Sequence, residues 1–232
     1  MSGGNASSLL PIALDVSLQG PLGPCGERSK AVALDHGGPS DLREARPTKE
    51  MDVLDYGCGT GPVSLFLLPH VRSVTGADNS PGMLDVLRTK IAEDGIENMN
   101  AIRRDLEREP IPEDRYHMVV TSMTMHHVAD TSKVLRAFHD LLHRSGKLCI
   151  ADLDTEPGNF HPPEAAGSVH HHGFDREQLK RQLAEAGFQE AHDVTAHTVS
   201  RPVEDGDERA FPVFLITASA AEVRKWCVIP DG

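Results

Sequence analysis

From Met51 onward, short apolar runs rich in β-branched residues alternate with segments whose apolar positions recur at helical spacing. The strand candidates are "MDVLDY" (51–56), "VRSVTGAD" (71–78), "NMNAIRR" (98–104), "YHMVVTS" (116–122) and "KLCIADLD" (147–154). Strands alternating with helices predict a parallel sheet with helices on both faces, a three-layer α/β/α sandwich. Ser80 is placed to cap a helix and Pro81 to open it, ahead of "GMLDVLRTKIAED" (82–94). A second helix starts near Asp130 and runs to Gly146, and Asp175 with Gln178 forms a D-x-x-Q capping box before "REQLKRQLAEAG". Two late strands, near 190–200 and 211–217, are joined by the polar "RPVEDGDERA" and predict a hairpin.

Residues 1–47 break this rhythm with Gly- and Pro-rich stretches such as "SLQGPLGPCGERSK". They are expected to form an irregular, partly disordered arm, with only "ERSKAVALD" (27–35) able to make a short helix. The expected organisation is that arm, one catalytic domain over 48–218, and a tail over 219–232 in which Trp226 packs.

Charge and cysteine usage narrow the partners. A net charge of −12 disfavours nucleic acid and anionic membranes, because both draw affinity from clustered Lys and Arg. Cys25, Cys58, Cys149 and Cys227 are far apart and form no C-x-x-C, so neither a zinc knuckle nor a disulfide framework is signalled. No Lys or Arg precedes Arg28, and "LLPIAL" is too short and proline-broken for a signal peptide or a membrane span. A soluble chain in a reducing cytoplasm is the expectation.

The stretch "VLDYGCGTG" (53–61) sets Gly57, Gly59 and Gly61 behind a strand and ahead of "PVSLFLL". Backbone N–H groups there are expected to face a ligand, and the glycines to let it approach. A dinucleotide fingerprint needs glycine at 62, where Pro62 stands, and Asp55 two residues before the first glycine would repel a pyrophosphate while suiting an ammonium group. Asp78, 21 positions after Gly57, can accept from both hydroxyls of a ribose. Asp105 in "RRDL" can accept from an exocyclic amine such as that of adenine. An amino acid, a ribose and an adenine together make S-adenosylmethionine.

On these motifs the chain resembles class I S-adenosylmethionine-dependent methyltransferases, in the group with a minimal domain acting on small molecules. The resemblance covers about residues 51–218 and implies a Rossmann-like methyltransferase fold, a mostly parallel seven-stranded sheet with an antiparallel C-terminal hairpin strand. "VLDYGCGTG" implies Asp55, Gly57, Gly59 and Gly61 around the methionine moiety, and "GADNSPGML" implies Asp78 on the ribose, Asn79 beside it and Met83 against the adenine face. "RRDL" implies Asp105 and Leu106 at the adenine edge, and "YHMVVTSMTMHHV" implies Ser122 and Met123 beneath the sulfonium. The implied activity is methyl transfer to an O, N or S nucleophile of a small organic acceptor, releasing S-adenosylhomocysteine. Family members usually bring a helix or two from before the first motif over the cofactor. The Gly- and Pro-rich arm departs from that, so a cofactor-binding regulatory or interaction protein with little or no activity is the alternative. A nicotinamide-dependent reductase needs the loop spacing that Pro62 breaks, and neither Tyr56 nor Tyr116 is followed four positions later by Lys.

Methyl transfer needs a base only where the acceptor must first lose a proton. His126 and His127, after the fourth strand, are the candidates, since imidazole titrates near neutral pH. His170, His171 and His172, with His161 upstream, are candidates for the substrate pocket. Asp152 and Asp154 could furnish oxygen ligands, but Thr121 and Ser122 stand where metal-dependent catechol-type relatives place a carboxylate, so no metal is expected. Acceptor identity and oligomeric state are not readable from the sequence.

Overall fold

The computed structural model describes residues 47–161, 166–202 and 208–221. The N-terminal arm with its short helix, the turn of the late hairpin and Trp226 lie outside the described residues. Seven strands form one sheet: β1 (Asp52–Tyr56), β2 (Ser73–Asp78), β3 (Met99–Arg103), β4 (Tyr116–Ser122), β5 (Leu142–Leu153), β6 (Phe188–Pro202) and β7 (Glu208–Ala220). Their order is β3-β2-β1-β4-β5-β7-β6, parallel from β3 through β5, with β7 inserted antiparallel between β5 and β6. The strand order reverses between β1 and β4, and in open sheets of this kind ligands bind beyond the strands' C-terminal ends at that crevice.

Period-two alternation builds two cores. Leu54, Tyr56, Val119, Leu148 and Ile150 face one side, where α3 (Thr131–Leu141) and α4 (Arg176–Glu185) supply Val134, Leu135, Phe138, Leu141, Leu179 and Leu183. Val53, Met118, Val120, Cys149 and Ala151 face the other, against Val63 and Leu67 of α1 (Pro62–Leu67) and Leu84 and Leu87 of α2 (Pro81–Glu93). The α/β/α expectation and the antiparallel C-terminal strand are both realised.

Local signals hold in part. Asp130 and Asp175 cap α3 and α4, accepting from the N–H of Lys133 at 2.9 Å and of Gln178 at 2.7 Å. Pro81 opens α2, but Ser80 makes no side-chain cap; its own N–H donates to Asp78 Oδ1 at 2.9 Å. The helix expected to reach Gly146 stops at Leu141, because Leu142 turns extended and pairs with Tyr116 at the start of β5. The chain then tightens through Ser145 at φ 58° and Gly146, where a Cβ would lie 2.8 Å from His143 O. The late strands are longer than expected, 15 and 13 residues. No described helix is long and apolar enough to cross a membrane.

Candidate active site

The loop after β1 is closed on itself. Gly57 and Cys58 N–H both donate to Ala77 O, at 2.7 and 3.1 Å, Gly61 N–H donates to Cys58 O at 2.9 Å, and Gly59 N–H donates to Asp78 Oδ2 at 2.8 Å. The N–H groups of Gly57, Cys58, Gly59 and Gly61 are thus held by the protein itself. The glycines also have protein reasons to be glycine. Gly57, Gly59 and Gly61 take φ of 71°, 56° and 88°, the left-handed region that side chains resist. A Cβ on Gly57 would sit 2.2 Å from Thr124 Cγ2, and one on Gly61 2.4 Å from Leu87 Cδ1. Lys90 Nζ donates to Thr60 O at 2.9 Å and ties the loop to α2.

The acids behave differently from one another. Asp55 is buried and accepts from Ser64 Oγ at 2.6 Å. Asp78, half-buried at the end of β2, is oriented by the N–H groups of Gly59 and Ser80, one on each oxygen. Asp105 accepts from Glu107 N–H at 3.0 Å and lies 3.7 Å from Arg108 Nε. Leu106 is buried in the core, and its N–H donates to the Tyr56 hydroxyl at 3.3 Å. Burial, against that hydrogen bond and helped by nearby acids, pushes the Tyr56 phenol up to about 12. Asn79 is exposed and Met83 half-buried at the start of α2.

Ser122 and Met123 are buried where β4 ends, with Met123 at φ 50°. Thr124 Oγ1 bridges the two loops, 3.2 Å from Gly57 O and 3.0 Å from Ser122 O. A single 3-10 turn over Met125–His127 follows. His126 is 1% exposed; its Nδ1 lies 2.6 Å from Asp152 Oδ1, and its N–H donates to Asp152 Oδ2 at 3.3 Å. Burial alone would raise the Asp152 carboxyl, but the His126 charge, with hydrogen bonds from His126 and Leu153, outweighs it and leaves it below the usual range. His126 Nε2 is 3.1 Å from His161 Nε2. Burial, and then the imidazoles of His126 and His127, press His161 down to about 4.

Sequence position alone groups His126 with His127, but the structure separates their roles. His127 Nδ1 donates to Ser168 O at 2.7 Å and the ring is half-buried. The N–H groups of His170 and His171 donate to the His126 carbonyl at 2.9 and 3.1 Å. His171 Nε2 donates to Val128 O at 2.9 Å, while the His170 and His172 side chains are exposed. This segment therefore clamps the loop after β4 with its backbone. Asp154 is held by Arg176 through two 2.6 Å bonds, and Arg176 Nη1 also reaches Asp193 at 3.3 Å. The two acids of "ADLD" thus go to different partners, one to an imidazole and one to a guanidinium. Sequence reading missed the pairing of Asp152 and His161 with His126, and Thr124 as a bridge; only the acid at the end of the fifth strand carried a linear signal.

Residues 53–146 match the family model described as a methyltransferase domain. A Schizosaccharomyces pombe protein described as an uncharacterized methyltransferase is 32% identical over 154 residues, 61% of this chain and 54% of its own length. The chain spans about half the length of the curated relatives it matches. Among solved structures, Bacillus subtilis YcgJ superposes with a TM-score of 0.65 at 16% identity, covering 83% of this chain and 98% of that one. Haemonchus contortus phosphoethanolamine N-methyltransferase 2, solved with S-adenosyl-L-methionine, superposes with a TM-score of 0.63 at 16% identity over 86% of this chain and 54% of that one. The motif match over residues 53–146, the sequence relatives and a sheet of this order support a class I S-adenosylmethionine-dependent methyltransferase domain.

Proposed function

We propose that the chain, through a domain over residues 48–218, binds S-adenosylmethionine at the C-terminal ends of β1–β4 and methylates a small organic acceptor. The observation that carries this reading is the Asp78 carboxylate: two backbone N–H groups orient it beside a loop in which the N–H groups of Gly57, Cys58, Gly59 and Gly61 are already engaged. A carboxylate offers about four lone-pair positions, so acceptor capacity remains for the two hydroxyls of a ribose. A site with poised carboxylate acceptors suits a cationic nucleoside better than a pyrophosphate. Asp105 supplies the corresponding acceptor for the adenine amine, with Met83 against its face, and Asp55 supplies negative charge toward the ammonium end.

Bound there, the cofactor supplies a sulfonium methyl for in-line transfer. Ser122 and Met123 line the floor beneath the sulfonium, and the imidazoles of His126, His127 and His161 form the acceptor side. A proton leaving an O, N or S acceptor enters that imidazole group, where Asp152 stabilises the charge on His126. A small acceptor fits the net charge of −12 better than nucleic acid does, and the buried thiols of Cys58 and Cys149 fit a reducing cytoplasm.

The test is calorimetric titration with S-adenosylmethionine, S-adenosylhomocysteine and NADH, on the wild type and Asp78→Ala. Micromolar binding of the first two, weakened at least about tenfold in the variant, is expected; equal binding in Asp78→Ala, or preference for NADH, overturns the assignment. One observation favours the second reading, a cofactor-binding protein without turnover: His126 is 1% exposed and its Nε2 is covered by His161. Binding with no methyl transfer across hydroxyl, amine and thiol acceptors would select that reading.

A further inference from the structure

The imidazoles of His126, His127 and His161 each present a ring nitrogen, and the three nitrogens lie within 4.8 Å of one another. Two of them, His126 Nε2 and His161 Nε2, are 3.1 Å apart. Two lone pairs at that distance repel, so the contact needs either one shared proton or one ion that both nitrogens ligate. The far sides of two rings are already fixed. Asp152 takes His126 Nδ1 at 2.6 Å, and the Ser168 carbonyl takes His127 Nδ1 at 2.7 Å, which puts the proton on Nδ1 and the lone pair on Nε2. A carboxylate behind one imidazole and a carbonyl behind another are the supports that metal-ligating histidines use to fix their tautomer. His161 Nδ1 is buried with no hydrogen-bond partner among the described residues, whose contacts leave this ring incompletely satisfied.

We propose that His126, His127 and His161 form a binding site for one divalent transition-metal ion of the Zn²⁺ class, through their Nε2 atoms, with a fourth position open to an oxygen, nitrogen or sulfur ligand. Tetrahedral zinc with bonds of about 2.0–2.1 Å sets its ligand nitrogens roughly 3.3 Å apart. One pair already stands near that spacing, and a ring nitrogen of His127 lies within 4.8 Å of a ring nitrogen of each of the other two. Three neutral imidazoles select borderline ions such as Zn²⁺, Co²⁺ or Ni²⁺ over Mg²⁺ or Ca²⁺, which want oxygen. The sequence expectation of no metal weighed the carboxylates of 152 and 154; Asp152 acts here behind a ligand and Asp154 is taken by Arg176. An ion here would sit beside the turn after β4, where its charge would lower the pKa of an acceptor hydroxyl or thiol at the fourth position; with the ion bound that proton leaves to solvent, and the imidazoles accept it only in the metal-free protein.

The test uses tag-free full-length protein, stripped with a chelator and titrated with Co²⁺ while the visible absorption is followed. Zn²⁺ and Mg²⁺ are titrated calorimetrically alongside. One Co²⁺ per chain with tetrahedral d–d bands, displaced by Zn²⁺ and not by Mg²⁺, is expected. His161→Gln and His127→Ala should each weaken binding at least about tenfold, Asp152→Asn about 10–100-fold, and the exposed His143→Ala not at all. No tetrahedral band with the wild type overturns the proposal and leaves a shared proton between His126 and His161. So does a band that survives both His161→Gln and His127→Ala, since the ion then sits elsewhere. The two positions are partly exposed, and far-UV circular dichroism identifies a misfolded variant; the wild-type titration decides the question without them. No readout involves the cofactor or methyl transfer, so this proposal and the methyltransferase reading fail separately.

Discussion

Replacing Gly57 by Ala probes why the first glycine of the loop is there. Its φ of 71° costs a side-chain-bearing residue roughly 1–2 kcal/mol. The new Cβ would also meet Thr124 Cγ2 at 2.2 Å, Oγ1 at 2.3 Å and Cβ at 2.7 Å, and overpacking of that kind costs about 1–3 kcal/mol. Gly57→Ala should therefore destabilise the ligand-free protein by about 2–5 kcal/mol, a fall of about 1–2 M in the urea midpoint. Thr124→Gly removes all three clashing atoms. Alone it loses the single Oγ1 proton shared between Gly57 O and Ser122 O, about 0.5–1.5 kcal/mol. Combined with Gly57→Ala it should recover the steric part but not the backbone part, giving a favourable coupling of about 1–3 kcal/mol in the double-mutant cycle. The assay is urea denaturation of all four proteins without cofactor. If Gly57→Ala leaves stability unchanged and only weakens S-adenosylmethionine binding, the glycine serves ligand approach and the packing argument is refuted.

Two further substitutions test the energetics. Tyr56→Phe leaves the buried Leu106 N–H without its hydroxyl partner, at about 1–3 kcal/mol near pH 8. Because burial raises the folded phenol to about 12 from an ordinary value near 10, the neutral tyrosine's contribution is complete below pH 10 and is lost as pH climbs through 12. The stability gap between wild type and Tyr56→Phe should narrow by about 1.4 kcal/mol at pH 11; a constant gap from pH 8 to 11 contradicts the shift. Arg176→Lys trades a fork that holds Asp154 and Asp193 together for a single point charge. The loss should be about 1 kcal/mol, discounted for partial exposure and smaller in 1 M salt, by urea denaturation.

The strands were readable because each is a short apolar run closed by a loop signal, and "YHMVVTS" coincides with β4 residue for residue. The end of α3 was not readable: "LLHRSG" carries helix-tolerant residues, and only pairing of Leu142 with Tyr116, 26 positions away, pulls the chain into β5. The site divides in the same way. Asp78 and His126 announce themselves by following a strand, whereas Asp152, His161 and Thr124 acquire meaning from partners 26, 35 and 67 positions distant. The loop glycines were legible as glycines, but their cause, Thr124 against Gly57 and Leu87 against Gly61, lives in the packing.

His126 is held at every polar atom by chain from outside its own turn: its amide and Nδ1 by Asp152, its Nε2 by His161, and its carbonyl by His170 and His171. For anyone transplanting this loop between scaffolds, residues 122–128 go together with 152–161 and 166–174. Exchanging either stretch alone would part the histidine from the frame that holds it.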